Sequence, residues 1–381
     1  MIWLFVGTIV PSAVICWLAA WAIRRLGERW GLIDEPGKRK VHQVPMPTGG
    51  GLAIWLGIVA PFAIGQLVLW AIWQTQSGDG QFVVPLPQFV QTHLAGLVQE
   101  SGRLWMLLGG GTVLTLLGAI DDKWGLDWKL RMFVQAVVAT VMVWLGWRAS
   151  LFIDMPILTD TLSVIWIVGL INTFNMLDNM DGLSAGVATI VGLLLATVMF
   201  LAPDPITNQP QFFCGGFLLV MVGSLVGFLL HNRPPARLFM GDAGSYLIGY
   251  LLAMATLTAT FAGEGIPQYA VLAPLCVMAV PLYDTVTVVL IRLRAKKSPF
   301  EADTSHFSHR LVELGMTNSQ AVLTIYLATA TCGLGALLLH QVNAVGAGII
   351  LLMIACILTL VGILETVRRR SKLGRRKRHR R

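Results

Sequence analysis

The sequence is short of charge. Asp, Glu, Lys and Arg together make up 13% of its 381 residues, against ~25% in a soluble domain. It also lacks paired cysteines. Cys16, Cys214, Cys276, Cys332 and Cys356 all lie in apolar runs with no CxxC pair. That pattern indicates neither a zinc site nor a disulfide framework, and the cysteines read as small packing residues. No internal repeat is visible, and the one low-complexity segment is the basic C-terminal run. The N-terminus, MIWLFVGTIVPSAVICWLAAWAIRR, has no positive leader region and no small-residue cleavage site. Its arginines follow the apolar run, so it reads as a retained transmembrane helix entering from outside, not a signal peptide.

What fills the chain instead is hydrophobic sequence, at 55% of residues and a mean hydropathy of +0.71. A membrane span needs about 20 mainly apolar residues. The sequence offers roughly eleven such runs, at 2–23, 48–72, 103–120, 131–148, 161–176, 183–202, 212–231, 242–262, 269–291, 318–339 and 345–366. With the N-terminus outside, the inner segments of this layout carry 26 of the 28 lysines and arginines, and only Arg103 and Arg148 fall outside. The positive-inside rule thus supports both count and direction. The expected fold class is all-α: a polytopic integral membrane protein of about eleven transmembrane helices, N-terminus outside and C-terminus cytoplasmic. One transmembrane domain covers 1–366. A polybasic tail, 367–381, follows it and reads as an anionic-lipid anchor, not a nucleic-acid element. The outer stretch 73–102 is rich in Gly, Pro and Gln, and its 88–99 part reads as an interfacial amphipathic helix.

The unusual polar residues gather at one membrane face. Asp121 and Asp122 end the third span in GAIDDKWGLDWK. NTFNMLDNMDG, 172–182, joins the fifth and sixth spans. Asp242 opens the eighth in RLFMGDAGSYLIG. His306 and His309 lie in the inner loop SPFEADTSHFSHRLVELG, and DEPGKRKVHQVPMPTGGG precedes the second span. Carboxylates at a bilayer are costly and mark function by default. Several at one level need a counter-ion. Asp, Asn and backbone oxygens are hard ligands that suit Mg²⁺, with Mn²⁺ as a substitute, and such an ion is commonly shared with substrate phosphates. The cations of KRKVH suit a second phosphate. A metal-bound pyrophosphate beside a cationic phosphate site implies phosphoryl transfer.

Each element has a plainer reading. Asp121–Asp122 could be a structural cluster, although acids at a helix C-terminus oppose its dipole. Asp127 reads as a helix N-cap. Asn172, Asn175, Asp178 and Asp181, at i, i+3, i+6 and i+9, would form one polar stripe on a continuous helix, which could simply pack against partner helices. Asp242 could be an N-cap. Gly49–Gly51 and Gly109–Gly111 read as close helix packing, not a phosphate loop. Asp284 lies inside the ninth span and faces either the bundle or a watery cleft.

In this order, DEPGKRKVHQVPMPTGG, GAIDD, NTFNMLDNMDG, FMGDAGS and SPFEADTSHFSHRL resemble the motifs of the polyprenyl-phosphate N-acetylhexosamine-1-phosphate transferases, glycosyltransferase family 4. The resemblance covers about 25–315, and five ordered motifs make it specific. It implies an Mg²⁺-dependent reaction in which a UDP-N-acetylhexosamine gives its sugar-1-phosphate to undecaprenyl phosphate, releasing UMP at the cytoplasmic face of the inner membrane. DEPGKRKVH resembles the N-acetylglucosamine branch. The alternative branch, the phospho-N-acetylmuramoyl-pentapeptide transferases, has a three-histidine run where this chain reads His306-Phe307-Ser308-His309. By motif, Asn175 and Asp242 are metal ligands, and Asp178 and Asp181 hold the nucleotide or its pyrophosphate. Asp121 and Asp122 orient or deprotonate the acceptor. Lys38, Arg39, Lys40, His42 and Lys129 meet the acceptor phosphate. His306, His309 and Arg310 contact the donor, and Asn172 belongs to the same substrate-binding set. The prenyl chain is expected in an apolar groove near the ninth span, and a homodimer fits the family. A secondary transporter is the main rival, but its site should lie at mid-bilayer. A cation channel would need rings of identical residues.

Overall fold

The computed structural model describes residues 2–35, 45–77, 88–149, 155–202, 209–259, 267–300, 303 and 305–378. Thirteen α-helices run through them: α1 Ile2–Trp30, α2 Gly50–Ser77, α3 Gln88–Trp124, α4 Trp128–Trp144, α5 Pro156–Leu177, α6 Leu183–Leu201, α7 Phe212–Asn232, α8 Gly241–Thr258, α9 Ala273–Val277, α10 Ala279–Arg294, α11 Phe307–Glu313, α12 Asn318–Leu338 and α13 Ala344–Arg378. A 3-10 turn, Gln268–Leu272, leads into α9. The β-structure described is one two-stranded ribbon, β1 Ile33–Asp34 against β2 Met46–Pro47.

Long apolar runs become helices because a helix satisfies every backbone polar group internally. Polar caps set several ends. Asp127 accepts from Lys129 N and starts α4, as the sequence suggested. Thr317 and Gln320 form a reciprocal capping box at α12.

Among the described residues, eight helices are long and apolar enough to cross a membrane, or nine if the bent pair before and after Met278 counts as one span. The two other expected positions hold α4, of 17 residues, and α8, of 18. Large apolar side chains such as Trp144, Ile157, Leu327 and Leu352 are exposed, as a lipid-facing surface requires. Two boundaries differ from expectation. The 88–99 stretch is not a separate surface helix but continues into the third span as one helix, Gln88–Trp124. The last helix does not stop at 366 but runs through Arg378 into the tail. Four of the five cysteines are buried, Cys356 is exposed, and all are free.

The centre of the bundle is α8, buried at every position from Ala243 to Leu257 and packed against α2, α3 and α5. Backbone meets backbone at its start. A Cβ on Gly51 would lie 2.1 Å from Gly244 N, and Gly51 N donates to Met240 O at 2.9 Å. The glycine triads do pack closely, at Gly50, Gly51, Gly110 and Gly111, while Gly109 faces open space. Gly51→Ala is therefore expected to cost at least the ~1–3 kcal/mol of ordinary overpacking, and Gly109→Ala to be neutral or slightly stabilising. Thermal unfolding of the two variants in detergent tests the contrast.

Candidate active site

Three helix ends and one turn meet at the start of α8. The third span delivers Asp121 and Asp122 in its last turn. The fifth delivers Asn175, then stops at Leu177, where Asp178 is its C-cap. The chain turns through Asp181 and Gly182 before α6. The polar stripe expected on one continuous helix is thus broken at Asp178. A short turn replaces it, because Gly182 takes a left-handed conformation at φ 74° and its N–H is held by buried Asn232 Oδ1 at 2.9 Å.

Asp122 caps α8. Its Oδ1 accepts from Asp242 N at 2.8 Å and its Oδ2 from Ala243 N at 3.3 Å. A carboxylate at a helix N-terminus is favourable through both the bonds and the dipole. Gly241, at φ 71°, makes the approach possible, since a Cβ there would sit 2.4 Å from Asp122 Oδ2. Asp242 is therefore not the N-cap; it stands in the first turn with its carboxylate turned to the other acids. Its Oδ1 accepts from Asn175 Nδ2 at 2.7 Å. Asp181 Oδ2 accepts from Ala236 N at 2.9 Å, fixing the joint to the α7–α8 loop.

Two residues missed in the sequence complete this cluster. Arg131, one turn into α4, lies 2.8 Å from Asp121 Oδ2 and 3.5 Å from Asp242 Oδ2. Tyr246 OH donates to Asp121 Oδ2 at 2.9 Å and lies 3.3 Å from Asp242 Oδ2. Leu126 N occupies the other oxygen of Asp121 at 2.7 Å. A cation inside an apolar run is costly unless paired, and that signal could have singled out Arg131. Tyr246 carried none, being one aromatic in an apolar helix.

The expected histidine loop is a second, more internal cluster. Asp284 is buried and accepts from Phe307 N at 2.6 Å, with His306 Nδ1 at 3.1 Å. The carboxylate inside the ninth span faces the bundle and anchors the loop. Arg310 Nη1 meets Glu365 of α13 at 3.0 Å, and its Nη2 donates to Thr287 Oγ1 at 2.8 Å. Both terminal nitrogens of its guanidinium are taken by protein partners, while its buried Nε has none. His309 stays beside His306, their ring centroids 6.4 Å apart, with its pKa lowered by burial and then by the neighbouring imidazole. Burial pushes Asp303 up, but bonds from Arg292 and Ser305 outweigh it and hold its carboxyl below the ordinary range. Ser308 Oγ donates to Asn179 Oδ1 at 2.5 Å, linking this loop to the Asp178–Asp181 turn.

Other expected residues are placed differently. Asn172 donates to Gln135 Oε1 at 2.7 Å, tying α5 to α4 rather than facing the acids. Lys129 is exposed at the start of α4, its ammonium 5.9 Å from the Trp128 ring, and Trp128 stacks on Phe300 at 4.3 Å. Lys38, Arg39, Lys40 and His42 lie outside the described residues. The ribbon of β1 and β2 is held beside α8 by Phe239 N donating to Pro47 O at 2.9 Å.

Residues 104–260 match the model of glycosyl transferase family 4. Among curated proteins, the chain is 31% identical over 329 residues to a probable undecaprenyl-phosphate N-acetylglucosaminyl 1-phosphate transferase of Bacillus subtilis, covering 84% of this chain and 80% of that protein. The chain belongs to glycosyl transferase family 4. It is also 33% identical over 350 residues to a decaprenyl-phosphate N-acetylglucosaminephosphotransferase of Mycobacterium tuberculosis, covering 86% and 80%. An undecaprenyl-phosphate alpha-N-acetylglucosaminyl 1-phosphate transferase of Escherichia coli is 28% identical over 322 residues, covering 81% and 76%. The stretch matched by the family 4 model holds Asp121, Asp122, Arg131, Asn175, Asp178, Asp181, Asp242 and Tyr246. The histidine loop lies beyond it.

What this family 4 site could hold follows from its donors. Among the described residues no three His, Cys, Asp or Glu side chains form a ready cage for a metal. Of the converging acids, Asp121 and Asp242 share the same partners, Arg131 and Tyr246, with the Asn175 amide beside Asp242. That sparse, hard-oxygen set fits an ion of the Mg²⁺ kind, which keeps waters and takes further ligands from phosphates. It does not fit a closed zinc site.

Asp178, at the helix end, has its pKa raised from 3.8 to about 7, by burial first and then by the charges of Asp122 and Asp181. The folded state therefore binds a proton that the unfolded chain has released. Stability should fall as pH rises from about 4 to about 7 in EDTA and level off above. Asp178→Asn should flatten that slope, read as melting temperature against pH. Arg131→Gln, leaving two acids without their cation, is expected to cost about 3–5 kcal/mol of stability in EDTA, with part recovered on adding Mg²⁺.

Proposed function

We propose that the chain transfers N-acetylglucosamine-1-phosphate from a UDP-sugar to undecaprenyl phosphate at the cytoplasmic face of the inner membrane. The observation that carries this is the convergence of Asp121, Asp122, Asn175, Asp178, Asp181 and Asp242 at one end of the bundle, in a chain whose relatives are named for such a transfer. In the reaction, an oxygen of the acceptor phosphate attacks the donor's β-phosphorus. The bond from that phosphorus to the oxygen bridging to the α-phosphate breaks, and UMP leaves with the electron pair.

The site is built for positioning. Asp121 is already engaged by Arg131, Tyr246 and Leu126 N, so it orients the Arg131 guanidinium and does not need to abstract a proton. The acceptor monoester is largely ionised at neutral pH, its second pKa being ~6. Arg131 and Lys129 would receive the acceptor phosphate, together with Lys38, Arg39, Lys40 and His42. Asp178 and Asp181 would face the donor pyrophosphate, and His306 and His309 its sugar side. Asp242 and Asn175 would hold Mg²⁺, or Mn²⁺ in its place, which supplies charge neutralisation on the pyrophosphate when bound.

We assign the acceptor's prenyl chain to an apolar cavity. A cavity of about 500 Å³ runs between α5 and the elbow of α9 and α10, lined by residues including Leu162, Trp166, Leu170, Val271, Leu275 and Leu282. Its place beside α9 and α10 supports the reading of a groove near the ninth span. We read α4 and α8 as spans despite their length, giving eleven, with the N-terminus outside and the active site facing the cytoplasm. The tail 367–381 would rest on anionic lipid, and a homodimer is compatible with this arrangement.

UMP release from UDP-N-acetylglucosamine and undecaprenyl phosphate by the purified chain is expected with Mg²⁺ and lost in EDTA. Asp242→Asn and Asp121→Asn should each lower kcat roughly 10²-fold or more, the scale for removing one preorganised electrostatic group. UMP from UDP-N-acetylmuramoyl-pentapeptide alone would keep the mechanism and change the sugar. UMP from neither donor would overturn the reading.

A further inference from the structure

A cationic pocket lies at the end of α7, and the transfer chemistry makes no use of it. It has a volume of about 270 Å³ and is lined by Leu230, His231, Arg233, Pro234, Pro235 and Arg237. Neither Arg233 nor Arg237 pairs with a carboxylate among the described residues. Arg24 of α1 and Arg237 both stand within electrostatic reach of His231. His231 is buried, with its Nε2 3.2 Å from Trp17 O and its Nδ1 without a partner. Positive charge is thus concentrated around a concave surface, and among the described residues neither arginine of the 233–237 loop has a carboxylate partner.

The surface beside the pocket is apolar and exposed. Trp17, Trp21 and Arg25 recur every fourth residue along one face of α1. Trp17, Trp21, Leu18 and Leu230 are all exposed. The Arg25 guanidinium lies 4.0 Å over the Trp21 ring, and the Trp17 ring stacks near His231 with centroids 6.4 Å apart. Tryptophan beside arginine at a helix end is the chemistry of the headgroup layer. A cationic pocket opening onto such a wall suits an anion that carries an apolar tail.

The loop that forms the pocket also holds the active site. Arg237 N closes it on His231 O at 2.8 Å, while the next amide back, Ala236 N, donates to Asp181 at 2.9 Å. Asn232, beside His231, bonds both Gly182 N and Leu238 O.

We propose that this pocket binds the phosphate of an anionic phospholipid headgroup, with the acyl chains along the Trp17–Trp21 face of α1, and that the bound lipid holds the 233–237 loop against Asp181. The site needs no transferase activity to be observed. The full chain, equilibrated with phosphatidylglycerol or phosphatidylcholine in detergent, is assayed for retained lipid by native mass spectrometry. Arg233→Gln with Arg237→Gln should lower the preference for phosphatidylglycerol roughly thirtyfold, about fivefold per arginine. Arg294→Gln with Lys297→Gln, which removes two exposed charges that do not line the pocket, should change it no more than about twofold. Equal losses in the two double variants would reduce the effect to general surface charge and overturn the site. Displacement of the lipid by millimolar inorganic phosphate would make the ligand a soluble anion and overturn the lipid assignment. In the unmodified chain, hydrogen exchange across 232–238 should slow in phosphatidylglycerol nanodiscs relative to phosphatidylcholine. No difference there would overturn the link to Asp181.

Discussion

Like charge brought together at a low-dielectric boundary is the constraint on which this structure depends. Asp121, Asp122, Asp178, Asp181 and Asp242 converge where water is scarce, and charge there must be matched nearby. Each acid is matched differently. Asp122 is answered by the N-terminal amides of α8, Asp121 by Arg131, Tyr246 and a backbone amide, and Asp181 by the amide of Ala236. Asp242 shares the same arginine and tyrosine and takes Asn175 as well. Asp178, buried at the end of α5 beside the charges of Asp122 and Asp181, is pushed toward protonation near neutral pH. The close approach of Gly51 to α8 follows from the same demand, because the start of α8 must sit deep enough for Asp122 to cap it.

The histidine loop obeys a related rule by a different route. Its polar side chains are partnered before any ligand arrives: His306 and Arg310 with Asp284, Arg310 with Glu365, Arg292 with Asp303. These pairs tie α10, α11 and α13 together and fix the loop that presents His309. The contact from Ser308 to Asn179 then sets that loop against the acidic turn. The loop's geometry thus depends on α13, far along the chain from the acids.

Much of this was legible in the sequence. Apolar runs mark the helices because the bilayer admits few other backbones. Asp121, Asp122, Asn175, Asp178, Asp181 and Asp242 stand out because acids and amides in such runs are expensive. The roles within the cluster were less legible. Whether Asp122 or Asp242 caps α8 depends on the left-handed turn at Gly241. The 3.6-residue period carried a stripe through Asp178 that the helix does not sustain. Asn172 fits that stripe, yet its partner is Gln135, from a helix whose rotation the pattern does not fix. Arg310 reads as a free cation until Glu365, more than fifty residues later, is folded against it.

The elbow before and after Met278 bends the chain by 68°, and the groove beside it is edged by Leu162, Ile165 and Leu275, all exposed. A molecule with a long apolar tail can slide into such a groove sideways without leaving the hydrocarbon. Extracting that tail into water would cost about 0.8 kcal/mol for each CH₂. Encounter then becomes a two-dimensional search within one leaflet, and turnover would respond to the surface density of the lipid in the membrane rather than to its bulk concentration.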